Sequence, residues 1–403
     1  MSNGSKVVIT GCGVLTTIGA NLEEFWYNLC NGNNGYGPLS LLDTTKYVTK
    51  IGGEMKNYNP REYIPEYAKK VDCLGKTSLY ALSAAYLALK DARLDAVEIT
   101  GLNAGSAIGT TDGEAEPIEK MNLALAESDR KPNPQVVSII SPHRIAQSIA
   151  REFGLGGPVC TITSACTAGN HAIIFAYEKI KSGQAELMLA GGADTFSRKT
   201  FTGFNRLGAT APELCMPFEQ DRKGMVVSEG AGIVVMESLE HALERKATIY
   251  AEVVGYGVSC DAYHMTIPSE EGFAMAMQNA LDDAGLNASD IDLIAAHGTG
   301  TQANDMTESK VINRIYGTKT AVTANKSVLG HTMGAASALN VITIVLAMRK
   351  GIMPKISNVR AIDPSCKINV LTENKQNRIK YGQANGFAFG GNNGVVILKN
   401  VKT

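Results

Sequence analysis

The chain has 403 residues, 44% hydrophobic and 19% charged, a balance suited to one large buried core. Its 38 Lys and Arg against 39 Asp and Glu leave a formal charge of −1, which excludes the basic stripe of a nucleic-acid binder. The eight cysteines fall into no CxxC or zinc-finger spacing, so no disulfide framework and no metal site is expected, and a reducing cytosol suits them. From the N-terminus, Lys6 to Thr17 reads as a buried strand running into a glycine turn, and Leu22 to Cys30 as a helix. Gly11 and Gly13 interrupt this run, which is no signal peptide. No other stretch approaches the roughly 20 apolar residues of a spanning helix, so a cytoplasmic protein without a membrane partner is expected. The tyrosine-bearing region from Asn31 to Pro65 has little periodicity and is expected to cover one side of the core.

Ser78 to Leu94 is an amphipathic helix, Asn103 to Thr110 a strand ending in glycine and threonine, and a helix-rich insertion runs on to about Phe153. In VCTITSACTAGNHAII, Val159 to Ile174, an apolar strand enters a knot of small residues and leaves as an alanine-rich helix, which places Cys166 at the turn between them. The free amides and positive dipole end of that helix are expected to lower the thiol pKa toward neutrality and make Cys166 a nucleophile. Two later stretches carry histidines in matching settings: IAAHGTGTQAND, where a strand ends at His297, and VTANKSVLGHTMGAAS, which leads through Lys326 to His331.

The chain also repeats itself. ALKDARL at Ala88 to Leu94 returns as ALDDAGL at Ala280 to Leu286, each followed by a spacer, a strand and a Gly/Thr loop, and the turn around Cys166 is echoed around His331. Each half closes with an apolar strand pair, ELMLAGGAD with GAGIVVMES and YGQANGFAF with GVVILKN. Halves at 1–251 and 252–403, each a sheet covered by helices with a shared helical layer between, are the expected α/β architecture.

The Cys, His, His set and its flanking residues resemble the β-ketoacyl synthases of dissociated fatty acid and polyketide systems. The resemblance runs from VVITGCGVLTTIG through PFEQDRKGMVVSEGAG and DAYHMT to GFAFGGNNG at Gly386 to Gly394. It implies the thiolase-like fold, five layers in the order α-β-α-β-α. It implies an acyltransferase that loads an acyl chain on Cys166 and extends it by decarboxylative condensation with a malonyl thioester. It implies no free cofactor, because phosphopantetheine arrives on the acyl carrier protein. Under it, the amides of Cys166 and Phe389 form an oxyanion hole with Phe389 as a gate, and His297 and His331 act as neutral donors to the malonyl thioester. Lys326 braces them, paired with Glu308; Thr299 and Thr301 bind the pantetheine arm; and Lys69, Lys70 and Arg206 meet the carrier.

Several positions depart from the family's usual residues. Met225 stands where phenylalanine is common, reshaping the acyl pocket, and Asn392 replaces a threonine. Ala295 and Asn340 remove oxygens that relatives direct at a bound monovalent cation, so no cation is carried over. Ala388 stands where glycine is common, which would stiffen the gate if that position needs φ > 0. These changes lean toward a polyketide or polyene chain, with a homodimer or a heterodimer with a nonidentical relative as the assembly. The alternative reading, a non-catalytic chain-length partner, requires the nucleophile to be missing, and Cys166 is present.

Overall fold

In the computed structural model, residues 5–64, 74–127 and 134–401 are described. Eleven strands form the main sheet: β1 Val7–Thr16, β2 Ala104–Gly109, β3 Val159–Ile162, β4 Leu187–Asp194, β5 Gly230–Ser238, β6 Ala251–Cys260, β7 Leu293–Ala295, β8 Ala321–Thr323, β9 Asn369–Val370, β10 Tyr381–Phe387 and β11 Asn392–Asn400. Their order is β9-β8-β7-β10-β11-β6-β1-β5-β4-β2-β3. The helices around it include α1 Leu22–Asn31, α2 Lys76–Ala92, α3 Ala115–Glu127, α4 Pro134–Ile139, α5 His143–Glu152, α6 Ala168–Lys181, α7 Arg198–Arg206, α8 Glu270–Ala284, α9 Gln302–Tyr316 and α10 Ala336–Lys350. Local chemistry sets their ends. Helix α8, for example, opens on Ser269, whose hydroxyl accepts from the Gly272 amide, and closes on Gly285 in the left-handed region.

The strand order contains the duplication. The run β3-β2-β4-β5-β1 is repeated as β8-β7-β10-β11-β6, with parallel and antiparallel neighbours in the same places. Two separate sheets were the expectation, and here the structure differs: Val7–Ile9 of β1 pair antiparallel with Ala251–Val253 of β6. Each of these strands is the last of its own run, and joining them satisfies backbone groups that two free edges would leave open.

Three apolar clusters separate the five layers. One packs α2 and α5 on the first half of the sheet, and another packs α8 and α9 on the second. The third lies between the halves and contains α6 and α10. Helix α10 is walled in on all sides, with Ala336 through Met348 all buried. Contrary to the sequence expectation, the 18 residues Met333–Lys350 are long and apolar enough to span a bilayer, but 89% of them are buried inside the protein. The two central helices touch almost backbone to backbone. A Cβ added at Gly169 on α6 would lie 2.8 Å from the Ala338 nitrogen on α10 and 2.9 Å from the Gly334 oxygen.

Candidate active site

Both central helices begin in the same way. Strand β3 leads to a short 3-10 turn, Ala165–Thr167, and then α6; the second half runs through the turn Met333–Ala335 into α10. Ala165 has φ 53° and Met333 has φ 50°, so each chain reversal uses a left-handed residue that is not glycine. The reversal turns the next residue inward at the head of the helix. In the first half that residue is Cys166, while in the second it is Gly334, so the structural counterpart of Cys166 is a glycine and His331 stands three residues before it.

His297 lies just beyond β7, and its peptide is held from both sides. Its N–H donates to Glu308 Oε1 at 2.8 Å, and its carbonyl accepts from Lys326 Nζ at 2.6 Å. Glu308 also accepts from the Gly298 amide at 2.8 Å and from Asn385 Nδ2 at 3.0 Å. The expected Lys326–Glu308 ion pair is therefore replaced: the carboxylate spends its lone pairs on amides, and the ammonium goes to the histidine carbonyl. Glu308 still acts on Lys326 through its charge, opposing the burial that brings the ammonium down to about 8. Sequence reasoning missed Asp305, which accepts from the amides of Thr299, Gly300 and Phe218. It lies one helical turn before Glu308 on α9, a spacing that puts both carboxylates on the face toward the loop.

His331 is fixed by its own backbone, donating to the Val226 carbonyl at 2.7 Å and accepting from the Ser228 amide at 2.9 Å. Its Nδ1 accepts from the Met333 amide at 3.1 Å, which assigns the ring proton to Nε2 when the ring is neutral. The two imidazoles meet edge to face with centroids 5.5 Å apart. Burial, then the Lys326 charge, holds both well below the ordinary histidine range, and His331 adds to the effect on His297. Both shifts favour the neutral imidazole. The Cys166 thiol behaves otherwise than expected: burial pushes it up to about 12, with Lys326 pulling down and Asp194 and Asp112 pushing up. The helix terminus does not outweigh the desolvation of a residue only 7% exposed.

Cys166, His297 and His331 all line one cavity of about 350 Å³, together with Met225, Thr299, Thr301, Phe387 and Phe389. Thr299 and Thr301 hydrogen-bond each other at 2.9 Å, and Thr301 caps α9, so both have structural work besides facing the cavity. Phe389 is 38% exposed and packs on Phe204 with ring centroids 5.5 Å apart. Its loop is pinned by Ala388 N to Asn392 O at 3.0 Å and Gly390 N to Met265 O at 2.8 Å. The left-handed positions are Gly390 and Gly391; Ala388 is not among the positive-φ residues, so the expected strain there is absent. Arg206 is exposed at the end of α7, next to Leu207 on the cavity rim. Lys69 and Lys70 lie outside the described residues.

The family model "Beta-ketoacyl synthase, N-terminal domain" matches residues 4–242, and "Beta-ketoacyl synthase, C-terminal domain" matches residues 250–360. Nodulation protein E of Rhizobium meliloti (strain 1021) is 38% identical over 98% of this chain and 99% of its own. The 3-oxoacyl-(acyl-carrier-protein) synthase 2 of Staphylococcus aureus (strain COL) is 34% identical over 99% of both. Among solved structures, the ishigamide ketosynthase/chain length factor superposes with a TM-score of 0.94 at 40% identity, over 98% of this chain and 99% of that one.

Proposed function

The chain belongs to the β-ketoacyl synthase family, a family of condensing acyltransferases, and from that premise we propose how its residues divide the reaction. The observation that carries the reading is the convergence of Cys166 and two neutral imidazoles on one cavity. The Cys166 sulfur attacks the thioester carbonyl of an acyl group carried on an acyl carrier protein, and the pantetheine sulfur leaves with the thiol proton. No free cofactor is needed, because the pantetheine is the carrier's own. Burial favours the neutral thiol of Cys166, and Lys326 is the charge that favours its thiolate.

A malonyl thioester then loses carbon dioxide. His297 and His331, donating N–H to the thioester oxygen, stabilise the enolate; a protonated pair would quench it by proton transfer. The enolate carbon attacks the acyl carbonyl on Cys166. The amides of Cys166 and Phe389 hold the oxyanion, and collapse frees the Cys166 thiolate, which takes up a proton. The product is an acyl chain two carbons longer, as a β-ketothioester on the carrier. Thr299 and Thr301 serve the pantetheine arm. Met225, buried on the cavity wall, shapes the acyl pocket toward a polyketide or polyene chain. Arg206, Lys69 and Lys70 meet the carrier.

The assembly is a dimer through the edge of the sheet. Support comes from β3, which among the described residues pairs only with β2 and is half-buried throughout, and from the exposed Leu123, Leu125 and Val137 on α3 and α4. The seven described cysteines are all free, which suits the cytosol. The test is mass spectrometry after incubation with acyl carrier proteins bearing chains of graded length. An acyl adduct on Cys166, discharged by malonyl-loaded carrier, is expected; absence of any adduct would overturn the reading.

A further inference from the structure

Asn340 on α10 is fully buried, and its side-chain amide bridges two segments. Its Nδ2 donates to the Ala296 carbonyl at 3.1 Å and to the Asn385 carbonyl at 2.9 Å. Its Oδ1 meets no hydrogen-bond partner among the described residues. The orientation of the amide is fixed all the same, because both neighbours are acceptors and turning it over would set oxygen against oxygen. A buried acceptor left without a donor costs stability, and an apolar residue of similar volume would remove that cost. The amide is thus explained by what its two donated bonds connect.

One of them ends on the residue before His297. The other ends on β10, two residues before Phe387 and four before Phe389. The same Asn385 gives its side chain to Glu308 at 3.0 Å, and Glu308 holds the His297 amide at 2.8 Å. A closed ring results, running Asn340, Ala296–His297, Glu308, Asn385 and back to Asn340. Lys326 grips the His297 carbonyl from outside it. The ring joins three segments that sequence alone keeps apart: the His297 turn, the strand leading to the gate, and the helix that follows His331.

We propose that Asn340 is a positioning residue, which sets the height of the His297 imidazole over the cavity and fixes it relative to the gate strand. The proposal rests on the role assigned above to His297 in decarboxylation. Cys166 stands at the head of the other central helix and takes no part in the ring, which reaches the acyl site only through the gate strand, so its acylation responds less to Asn340 than decarboxylation does.

The two half-reactions therefore separate the effect. Acylation of Cys166 is followed by mass spectrometry with an acyl carrier protein, and decarboxylation by carbon dioxide release from malonyl-loaded carrier without acyl donor. Asn340→Leu removes both donors at similar volume. Asn340→Ser keeps one hydroxyl donor in a smaller side chain, and carries the test if the leucine variant does not fold. The control is Asn400→Leu, since Asn400 at the far end of β11 is also buried and its Nδ2 donates to the Ile379 carbonyl at 3.0 Å, outside the ring. In Asn340→Leu decarboxylation is expected to fall by about tenfold to a hundredfold, the scale of misplacing a reacting group by up to an ångström, with acylation changed by less than about threefold. Asn340→Ser should lie between, and Asn400→Leu should leave the ratio of the two rates as in the parent. An unchanged ratio in both Asn340 variants, or the same change in Asn400→Leu, would overturn the proposal. His297→Ala guards the premise: if it leaves decarboxylation intact, the role of His297 fails, whereas if it abolishes decarboxylation and the Asn340 variants do not alter the ratio, only the positioning role fails.

Discussion

The closest approach in the central layer sets up a sharp test. In Gly169→Ala the new Cβ would sit 2.8 Å from the Ala338 nitrogen, 2.9 Å from the Ala338 Cβ and 2.9 Å from the Gly334 oxygen, where ordinary contact begins at 3.4 Å. Two of the three neighbours are backbone atoms of the α10 segment, which no rotamer change can move, so α6 and α10 must separate by roughly 0.6 Å. Overpacking of that kind costs about 1–3 kcal/mol. Spread over the unfolding entropy of a chain this long, it lowers Tm by only ~1–4 °C. The catalytic effect should be larger in proportion. Cys166 lies three residues before Gly169 and His331 three before Gly334, so the separation is delivered to both proposed catalytic residues together. At about a hundredfold per ångström of misplacement, condensation should slow by about tenfold in a protein that is still fully folded at the assay temperature. Steady-state kcat, read beside Tm, makes the comparison. Adding Ala338→Gly removes only the Cβ contact and should restore little. Full activity in Gly169→Ala despite the expected drop in Tm would show that the spacing of the central helices does not set the distance between sulfur and imidazole.

Cys166→Ala should abolish the acyl adduct and condensation with Tm nearly unchanged, since a small turn residue becomes a smaller one; residual chain extension would disprove the nucleophile. His297→Ala and His331→Ala should each lose malonyl decarboxylation while Cys166 still acylates, and equal loss of both half-reactions in either variant would mean that histidine activates the cysteine. The depressed histidines also fix a pH window. Above the ordinary value of 6.5 both are neutral folded and unfolded; below it the unfolded chain binds protons that the folded chain refuses. Stability should therefore fall with acid, by about 1.4 kcal/mol per pH unit for each histidine, while decarboxylation by the protein still folded stays level through pH 6. A decarboxylation rate that halves at pH 6.5 would place a protonating histidine in the site. Light scattering should report a dimer, and a fully active monomer would remove the sheet edge from the account of assembly.

What the sequence made legible was whatever is written in local pattern. The turn at Cys166 showed itself because an apolar strand, small residues and an alanine-rich helix follow one another directly, and the repeat showed itself because ALKDARL and ALDDAGL are nearly the same string. The pairing of β1 with β6 was not legible, since it is a contact between the first strands of two halves some 240 residues apart and leaves no periodicity behind. The partner of Lys326 was misread for a related reason. A carboxylate on the next helix looks like the natural counterion, but Glu308 was already committed to two amides and an asparagine that only the folded chain brings to it. The thiol pKa turned on burial, which in this case outweighs the helix terminus.

The chain reversal at Met333–Ala335 bears on where an acyl chain can be held. Gly334 occupies the place that Cys166 occupies in the first half, but its amide donates to Asp194 Oδ2 at 2.6 Å, and a Cβ there would fall 2.7 Å from that same oxygen and 2.6 Å from the Thr110 Cα. No side chain, and so no second sulfur, can be accommodated. Each polypeptide has two seats of the same shape and one occupant. The second half therefore offers no acyl seat at the position that matches Cys166. Under the proposed reading the two substrates cannot both be held as thioesters at the heads of the two central helices, and the extender stays on its own carrier while the growing chain is held on Cys166.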